Sequence, residues 1–233
     1  IQHIASPFPT DTPSDREALV PEARAGAQRV LENGFSSGAE RIVMTSSMAA
    51  MMGQPGRSRY MKVTENDWSD PDWRPMTAYP VSKTRAELSA WAYAKAQGLE
   101  KKLTVINPGL VLGPDPFENG GTSLKLILSM FRGGFPRVPK VAYPIIDIRD
   151  CASIHVAAMT AENLPSGDLP NFIMRLGALF DDRIKGVLPD LGIFHEADSA
   201  YVATLTQVIP RSAKEAILAS ANSLIEQGLA SAD

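Results

Sequence analysis

Short apolar runs in the first half of the chain predict buried strands. Residues 40–47, ERIVMTSS, form one run that ends in hydroxyl side chains, and residues 103–107 form another, which Pro108 and Gly109 stop. Apolar runs without polar alternation are typical of parallel strands covered on both faces. The first residues, IQHIASPFPT, have the pattern of the tail of a third buried strand followed by a loop.

Residues 14–34, between the strand at the start of the chain and the strand over 40–47, are predicted to form a helix. Ser14 and Glu17 have the spacing of a capping box at its start, and Gly34 is suited to its end. Pro21 indicates a break or a restart inside this segment, because proline lacks the backbone N–H that a helix interior uses.

A second amphipathic segment, residues 79–97, predicts a helix that Gly98 ends. The preceding residues 60–78 are rich in Asp, Pro and Trp and are predicted to be a loop. The resulting order of strands and helices is the pattern of an α/β protein with a parallel sheet and helices on both faces. Ligands of such sheets bind at the carboxyl ends of the strands.

The second half of the chain is less regular and is predicted to form a smaller cap packed on the sheet. Its predicted elements are a helix over 122–134, a strand and a helix over 143–162 with Asp150 as the helix cap, a short strand over 171–174, a helical segment over 177–188, and a helix over 210–229 with Ser212 and Glu215 as a capping box.

Composition narrows the classes of function. The 233 residues are 44% hydrophobic with a net charge of -3, which is ordinary for a globular protein and gives no basic surface for nucleic acid or anionic lipid. No apolar run approaches the roughly 20 residues that span a bilayer. A single cysteine, Cys151, excludes an internal disulfide and fits a reducing cytoplasm, and the three histidines lack a metal-binding spacing. The sequence therefore predicts a cytoplasmic protein without a metal.

A candidate for chemistry lies at the start of the helix over residues 79–97. Tyr79 and Lys83 fall one turn apart on one face. Beside a bound ligand, a nearby ammonium would lower the pKa of the phenol from about 10, so that it could act as a general acid or base. The Ser47 hydroxyl, at a strand end, could bind a substrate oxygen. Taken alone, YxxxK also fits ordinary helix surface.

Five sequence blocks, one of which contains Tyr79 and Lys83, help to interpret that pair. HIASPFP, RIVMTSSMAAMMG, ENDWSDPDW, AYPVSKTRAELSAW and VINPGLVLGPDP occur in this order. Together they resemble the extended short-chain dehydrogenase/reductase superfamily (NAD-dependent epimerases and dehydratases), most of all its dihydroflavonol 4-reductase-like branch. The resemblance implies a Rossmann-like sheet and a small C-terminal α/β substrate cap. It implies a dinucleotide-binding domain over residues 1–113 and a cap over 114–233, of which 141–162 return to the core.

The resemblance also implies roles for individual residues. Tyr79 matches the catalytic tyrosine, Lys83 the lysine that binds the nicotinamide ribose, and Ser47 the hydroxyl that orients the substrate. Ser46 replaces Ser47 if the loop aligns one residue differently. The matches to cofactor-binding positions are Ala5, Ser6, Thr45, Ser46, Tyr79, Lys83, Pro108, Gly109, Leu110 and, with a contact that only some relatives make, Ser123.

The implied function is an NAD(P)-dependent oxidoreductase that reduces a ketone or aldehyde, or oxidises a secondary alcohol, with NADP slightly favoured over NAD. The same residues also fit a nucleotide-sugar epimerase or dehydratase, or a 3β-hydroxysteroid-type dehydrogenase. The blocks ENDWSD and PRSAKEA favour the reductase branch. From another class, an inactive truncated relic or a non-catalytic dinucleotide-binding regulator stays open.

A homodimer is also implied, through the helices predicted over residues 14–34 and 79–97. A stripe of small residues (Ala86, Ala90 and Ala94) would allow close packing there, or would face the sheet. For the remaining polar residues near the predicted edge, His3 and His155 are expected to have packing roles. Asn107 is expected either to contact substrate or to stabilise a turn.

The chain departs from the family pattern in one respect. Family members open with a strand, a GxxGxxG turn and a helix that bind the pyrophosphate, and this motif does not occur here. The expected gap is two strand–helix units, about 60 to 75 residues. Tight cofactor binding by these residues alone is therefore not expected.

Overall fold

The computed structural model describes residues 1–8, 13–56, 58, 60–116, 121–132, 142–160 and 194–230. The strand predicted over 171–174 and the helical segment over 177–188 lie outside these residues. The strands are β1 (Gln2–His3), β2 (Ile42–Thr45), β3 (Tyr60–Val63), β4 (Leu103–Ile106), β5 (Leu110–Leu112), β6 (Ile145–Asp147) and β7 (Phe194–Ala197).

The helices are α1 (Val20–Ser36), α2 (Ala49–Met52), α3 (Ala78–Ala96), α4 (Thr122–Phe131), α5 (Ile148–Thr160), α6 (Ala200–Thr206) and α7 (Ala213–Glu226), with a 3-10 turn at Glu100–Lys102. Among the described residues, no helix combines the length and the apolar character needed to cross a bilayer.

A three-stranded parallel sheet carries the first half of the chain, in the order β1-β2-β4. This confirms the three strands predicted from the apolar runs. Two further parallel pairs are β5 with β6 and β3 with β7. Of these four strands, only β6 was predicted. β5 begins directly after the turn expected to end β4, and β3 lies in the segment predicted to be a loop. Both strands are short and pair with segments far away in sequence, so no local pattern identifies them.

Helix α1 starts later than predicted. It begins at Val20, with Pro21 in its first turn, because a proline there loses no helical hydrogen bond. The capping box predicted for Ser14 and Glu17 is wrong: the Glu17 N–H donates to the Asp15 side chain within a series of turns. The helix also continues past Gly34, and Gly38, with a φ of 85°, lies just after its end.

Small residues bring α1 and α3 close together. Ala86, Ala90 and Ala94 of α3 belong to one buried cluster with Ala23 and Ala27 of α1. Side chains of the sheet, including Ile42, Met44 and Leu103, complete this cluster. The alanine stripe is therefore buried inside the chain, against α1 and the sheet. This agrees with the second of its two predicted roles, which was to face the sheet.

Helix α5 begins at Ile148, and the capping role predicted for Asp150 is wrong. The Asp147 carboxylate accepts the Arg149 N–H at 2.9 Å instead. Asp150 lies in the first turn and accepts hydrogen bonds from the backbone and the guanidinium of Arg211. This contact ties the start of α5 to the segment that leads into α7.

Helix α7 confirms its predicted capping box at Ser212 and Glu215. Its buried face binds the loop after β5: the Ser220 hydroxyl accepts the Gly113 N–H at 2.6 Å, and the Ser223 hydroxyl accepts the Asp115 N–H at 3.0 Å. Leu224 of α7 packs in a cluster with Leu112 of β5. The last helix therefore fixes the chain where it leaves the sheet.

Replacing Ser220 with alanine is expected to lower the free energy of unfolding by about 1 to 3 kcal/mol, because the buried Gly113 N–H loses its acceptor. Urea denaturation measures the change. The control is Asn222→Ala on the exposed face of the same helix, which has the same expected gain in helix propensity. Equal midpoints for the two variants would contradict the role of Ser220.

Ala90→Leu tests the close approach of α1 and α3. Ala90 is 1% exposed, so the larger side chain is expected to cost about 1 to 3 kcal/mol through overpacking. Thermal unfolding measures the loss, with Ala92→Leu on the exposed side of α3 as the control. A melting temperature as high as that of the control would show that the two helices are not in close contact.

Candidate active site

The candidate site lies at the carboxyl edge of the three-stranded sheet. Because β1, β2 and β4 are parallel, the residues that follow their last positions meet at one edge. These are His3 at the end of β1, Ser46 and Ser47 after β2, and Asn107 after β4. The backbone joins the two central loops, since the Ser46 N–H donates to Ile106 and the Met48 N–H to Pro108.

Helix α3 presents Tyr79 to this edge from its first turn. Burial raises the pKa of Tyr79, and the nearby Ser47 hydroxyl lowers it by a smaller amount. The ring of Phe8 packs edge-on against the Tyr79 ring, with 4.6 Å between centroids and an interplanar angle of 71°. Ser47 and Tyr79 are therefore brought together.

Lys83 lies one turn further along α3 and is only 6% exposed. Its ammonium lies over the Tyr79 ring, 5.8 Å from the centroid. Burial lowers the pKa of Lys83, and the charge of Glu87 partly opposes this. The prediction that Lys83 lowers the phenol pKa concerns a site with a bound ligand and stays a prediction. In the chain by itself, burial raises the pKa of Tyr79 and Ser47 opposes it.

Glu87 and Asn107 complete a buried polar group that sequence reasoning did not assemble. The Asn107 amide nitrogen donates to the Glu87 carboxylate at 2.8 Å and to the Ser47 carbonyl at 3.2 Å. Burial raises the pKa of Glu87, while the nearby Ser46 hydroxyl, the hydrogen-bonded Asn107 amide and the nearby Trp91 indole lower it. Glu87 was missed because a glutamate four residues after a lysine is the usual pattern of an exposed helix face.

The two hydroxyls before Ser47 have different surroundings. Thr45 Oγ1 lies 2.7 Å from His155 Nε2, and His155 Nδ1 lies 2.7 Å from the Cys151 carbonyl. Since that carbonyl can only accept, Nδ1 carries the proton and the Thr45 hydroxyl donates to Nε2. The Ser46 hydroxyl is buried close to Glu87 but has no well-directed partner in the described part of the chain.

The other predicted cofactor positions are dispersed. Ala5 and Ser6 lie in the loop after β1, and Ser123 lies in the first turn of α4. No hydrogen bond described for Ser123 joins it to Tyr79 or Lys83. The structure therefore brings Ser47, Tyr79 and Lys83 together, and the cofactor contact of Ser123 stays a prediction.

The connection from β4 to β5 consists of Pro108, Gly109 and the first residue of β5, Leu110. Hydrogen bonds to neighbouring backbone already occupy some of its polar groups. The Pro108 carbonyl accepts from Met48, and the Leu110 N–H donates to Pro144 at 2.8 Å. A Cβ at Gly109 would overlap the Pro144 carbonyl. The glycine is thus required by this close approach of two strands.

The side chains at this edge fit the nicotinamide end of a dinucleotide. A phenol and an ammonium close together suit ribose hydroxyls, and the unpartnered Ser46 hydroxyl adds a polar group in the same place. No cluster of three potential metal ligands occurs among the described residues.

Solved structures share this architecture. The structure of yeast methylglyoxal/isovaleraldehyde reductase Gre2 complexed with NADPH matches with a TM-score of 0.72 and 23% identity, over 98% of this chain and 77% of that one. Vestitone reductase from alfalfa (Medicago sativa) matches with a TM-score of 0.71 and 17% identity, over 98% and 76%. These likenesses confirm the predicted fold class, an α/β protein with a Rossmann-like parallel sheet.

Sequence relatives have the names expected for the reductase branch. Cinnamoyl-CoA reductase 2 of Arabidopsis thaliana is 37% identical over 68% of this chain and 47% of its own length. NADPH-dependent methylglyoxal reductase GRE2 of Saccharomyces cerevisiae is 30% identical over 68% of this chain and 51% of its own. The chain spans about half the length of these curated relatives. Residues 1–171 match the NAD dependent epimerase/dehydratase family, and the chain belongs to that family.

Proposed function

We propose that the protein is an NADPH-dependent reductase of small carbonyl compounds, in which Ser47, Tyr79 and Lys83 act together. The observation that carries this proposal is the position of the buried Lys83 ammonium over the Tyr79 ring, 5.8 Å from its centroid, with the Ser47 hydroxyl close enough to lower the pKa of the phenol. The names of the sequence relatives, all of them reductases or oxidoreductases among those compared, support the reductase over the epimerase and dehydrogenase alternatives.

In the proposed reaction, the Ser47 hydroxyl donates a hydrogen bond to the substrate carbonyl oxygen and holds it beside Tyr79. The Tyr79 phenol gives its proton to that oxygen as the carbonyl carbon is reduced. The Lys83 ammonium stabilises the phenolate left behind, because opposite charges attract strongly where water is excluded. When bound, the nicotinamide supplies the hydride.

For the cofactor, we propose NADPH with NADH as the weaker alternative. Tyr79 and Lys83 would hold the ribose hydroxyls next to the nicotinamide. The remaining proposed contacts are Ala5, Ser6, Thr45, Ser46, Pro108, Gly109, Leu110 and Ser123. Because the Leu110 N–H is engaged by Pro144, its contribution would come from other atoms of that residue.

For the substrate, we propose a small apolar or aromatic carbonyl compound. The Phe8 ring is 51% exposed and lies against Tyr79, so it offers an apolar surface next to the proton donor. Met51 and Met52, which follow Ser47 along the chain and are partly exposed, are adaptable side chains suited to a substrate-binding wall, whereas Met48 is buried in the core.

The organisation of the whole protein is also part of the proposal. We propose a dinucleotide-binding domain over residues 1–113 and a cap over 114–233, with 141–162 returning to the core. A cytoplasmic location agrees with the single, buried cysteine. A homodimer would need a surface other than the alanine stripe, which is buried within the chain.

Replacing Tyr79 with phenylalanine removes the proton donor and keeps the ring. We expect turnover of a small aldehyde or ketone with NADPH to fall by about two to four orders of magnitude in the full-length protein. The matched control is Tyr93→Phe, further along the same helix, which should retain its rate. Comparable turnover in the two variants would exclude Tyr79 from the reaction.

The rate of reduction is expected to fall at high pH, since the reaction needs a neutral phenol and a charged ammonium. Burial lowers the pKa of Lys83, so the loss should begin below the pH at which a free lysine side chain, with a pKa of about 10.5, loses its proton. The pH profile of kcat/KM measures this. Lys83→Arg retains its charge and should move the high-pH limb upward. Identical limbs would contradict a role for the Lys83 charge.

A further inference from the structure

Glu87 is an unusual residue for its position. Its side chain is 5% exposed, on the face of α3 that also carries Tyr79 and Lys83. Burying a carboxylate is unfavourable unless other groups compensate its charge. The mechanism proposed above does not use Glu87, so another role must explain why this carboxylate is buried.

The groups around Glu87 come from three elements. Asn107, after β4, donates to the carboxylate at 2.8 Å. Burial raises the pKa of Glu87, and the nearby Ser46, after β2, and Trp91, one turn further along α3, oppose this by favouring the ionised carboxylate. The remaining neighbour is Lys83, one turn earlier, whose charge also favours the carboxylate.

In the described part of the chain, three titratable groups interact with the Lys83 ammonium. They are Tyr79 and Glu87 on its own helix, and His3 on β1, whose pKa Lys83 lowers. A neutral His3 and a neutral phenol add no negative charge. Of these three groups, Glu87 alone can supply the negative charge that a buried ammonium needs to stay protonated.

Asn107 links this charge to the serine loop. One amide group donates both to the Glu87 carboxylate and to the Ser47 carbonyl, so both of its hydrogens are used. The loop that carries Ser47 is thereby held against the helix that carries Tyr79 and Lys83. Neither contact involves a group that would touch the substrate.

We propose that Glu87 is a positioning residue of this site: its carboxylate keeps the Lys83 side chain charged and, through the Asn107 amide, holds the Ser47 loop against α3. This inference deepens the proposed reductase function and rests on it for its catalytic consequence. The arrangement of charges itself can be measured without turnover.

The main test is Glu87→Gln, which keeps an acceptor for Asn107 and removes the charge. NMR titration of labelled lysine side chains in the full-length protein, with Lys83→Met to assign the signal, reports the charge of Lys83 directly. We expect the pKa of Lys83 to fall by about one to three units. The high-pH limb of kcat should move down by the same interval, with little change in KM.

Two controls separate this role from a structural one. Glu32→Gln, on the exposed face of α1, should leave the Lys83 titration and kcat unchanged. In a Lys83→Met background, Glu87→Gln should cause no further loss of kcat. A purely structural role would instead give the same fold loss in both backgrounds, and that result would overturn the proposal.

Asn107→Ala tests the second part of the proposal, that Asn107 holds the Ser47 loop against α3. This variant also keeps the proposal testable if Glu87→Gln does not fold. Freeing the loop should speed hydrogen exchange at the Met48 and Ala49 amides by about tenfold or more. Unchanged exchange would overturn the link from Asn107 to the loop.

The outcomes also separate this proposal from the proposed function. If Tyr79→Phe loses turnover while Glu87→Gln changes neither the Lys83 titration nor kcat, the role of Glu87 is wrong and the reductase stands. If the Lys83 titration shifts but the parent protein reduces no carbonyl compound, the reductase is wrong and the charge arrangement stands.

Discussion

Parallel pairing of three short strands is the constraint on which the candidate site depends. Thr45 pairs with Ile106 at the end of the β2–β4 register. The residues that follow, Ser46 and Ser47 after β2 and Asn107 after β4, therefore start from neighbouring positions. A shift of one residue would turn every side chain to the opposite face of the sheet. Strands of two to four residues cannot hold such a register by themselves. The close contact of α1 and α3, made through alanines, supplies the packing that does.

Buried polar groups at this edge are stabilised in pairs or networks. Thr45 bonds His155, and the Asn107 amide donates to both the Ser47 carbonyl and the Glu87 carboxylate. Each partner comes from a different element, so no single helix or loop contains the whole arrangement. An active site assembled in this way is positioned by tertiary structure, and its polar groups remain costly to expose or to leave unpaired.

The sequence predicted the elements whose pattern is local. The strands β2 and β4 carry their own apolar runs, the helix α7 its own cap, and the helix α3 the glycine that ends it, Gly98. Local rules failed where distant residues decide: β3 pairs with β7, and Asp150 bonds Arg211 rather than capping its helix. The candidate triad followed from five motif blocks, whereas Glu87 required knowing which face of α3 is buried.

The contacts of α7 have a consequence for how the protein is made. Ser220 binds Gly113 across 107 positions of the chain, and Gln227 binds Asp115 across 112. During synthesis, the turn after β5 must wait until the residues of α7 have left the ribosome before its final partner arrives. The apolar side of β5 and β6 stays uncovered by α7 for that interval, which exposes the nascent chain to misassembly.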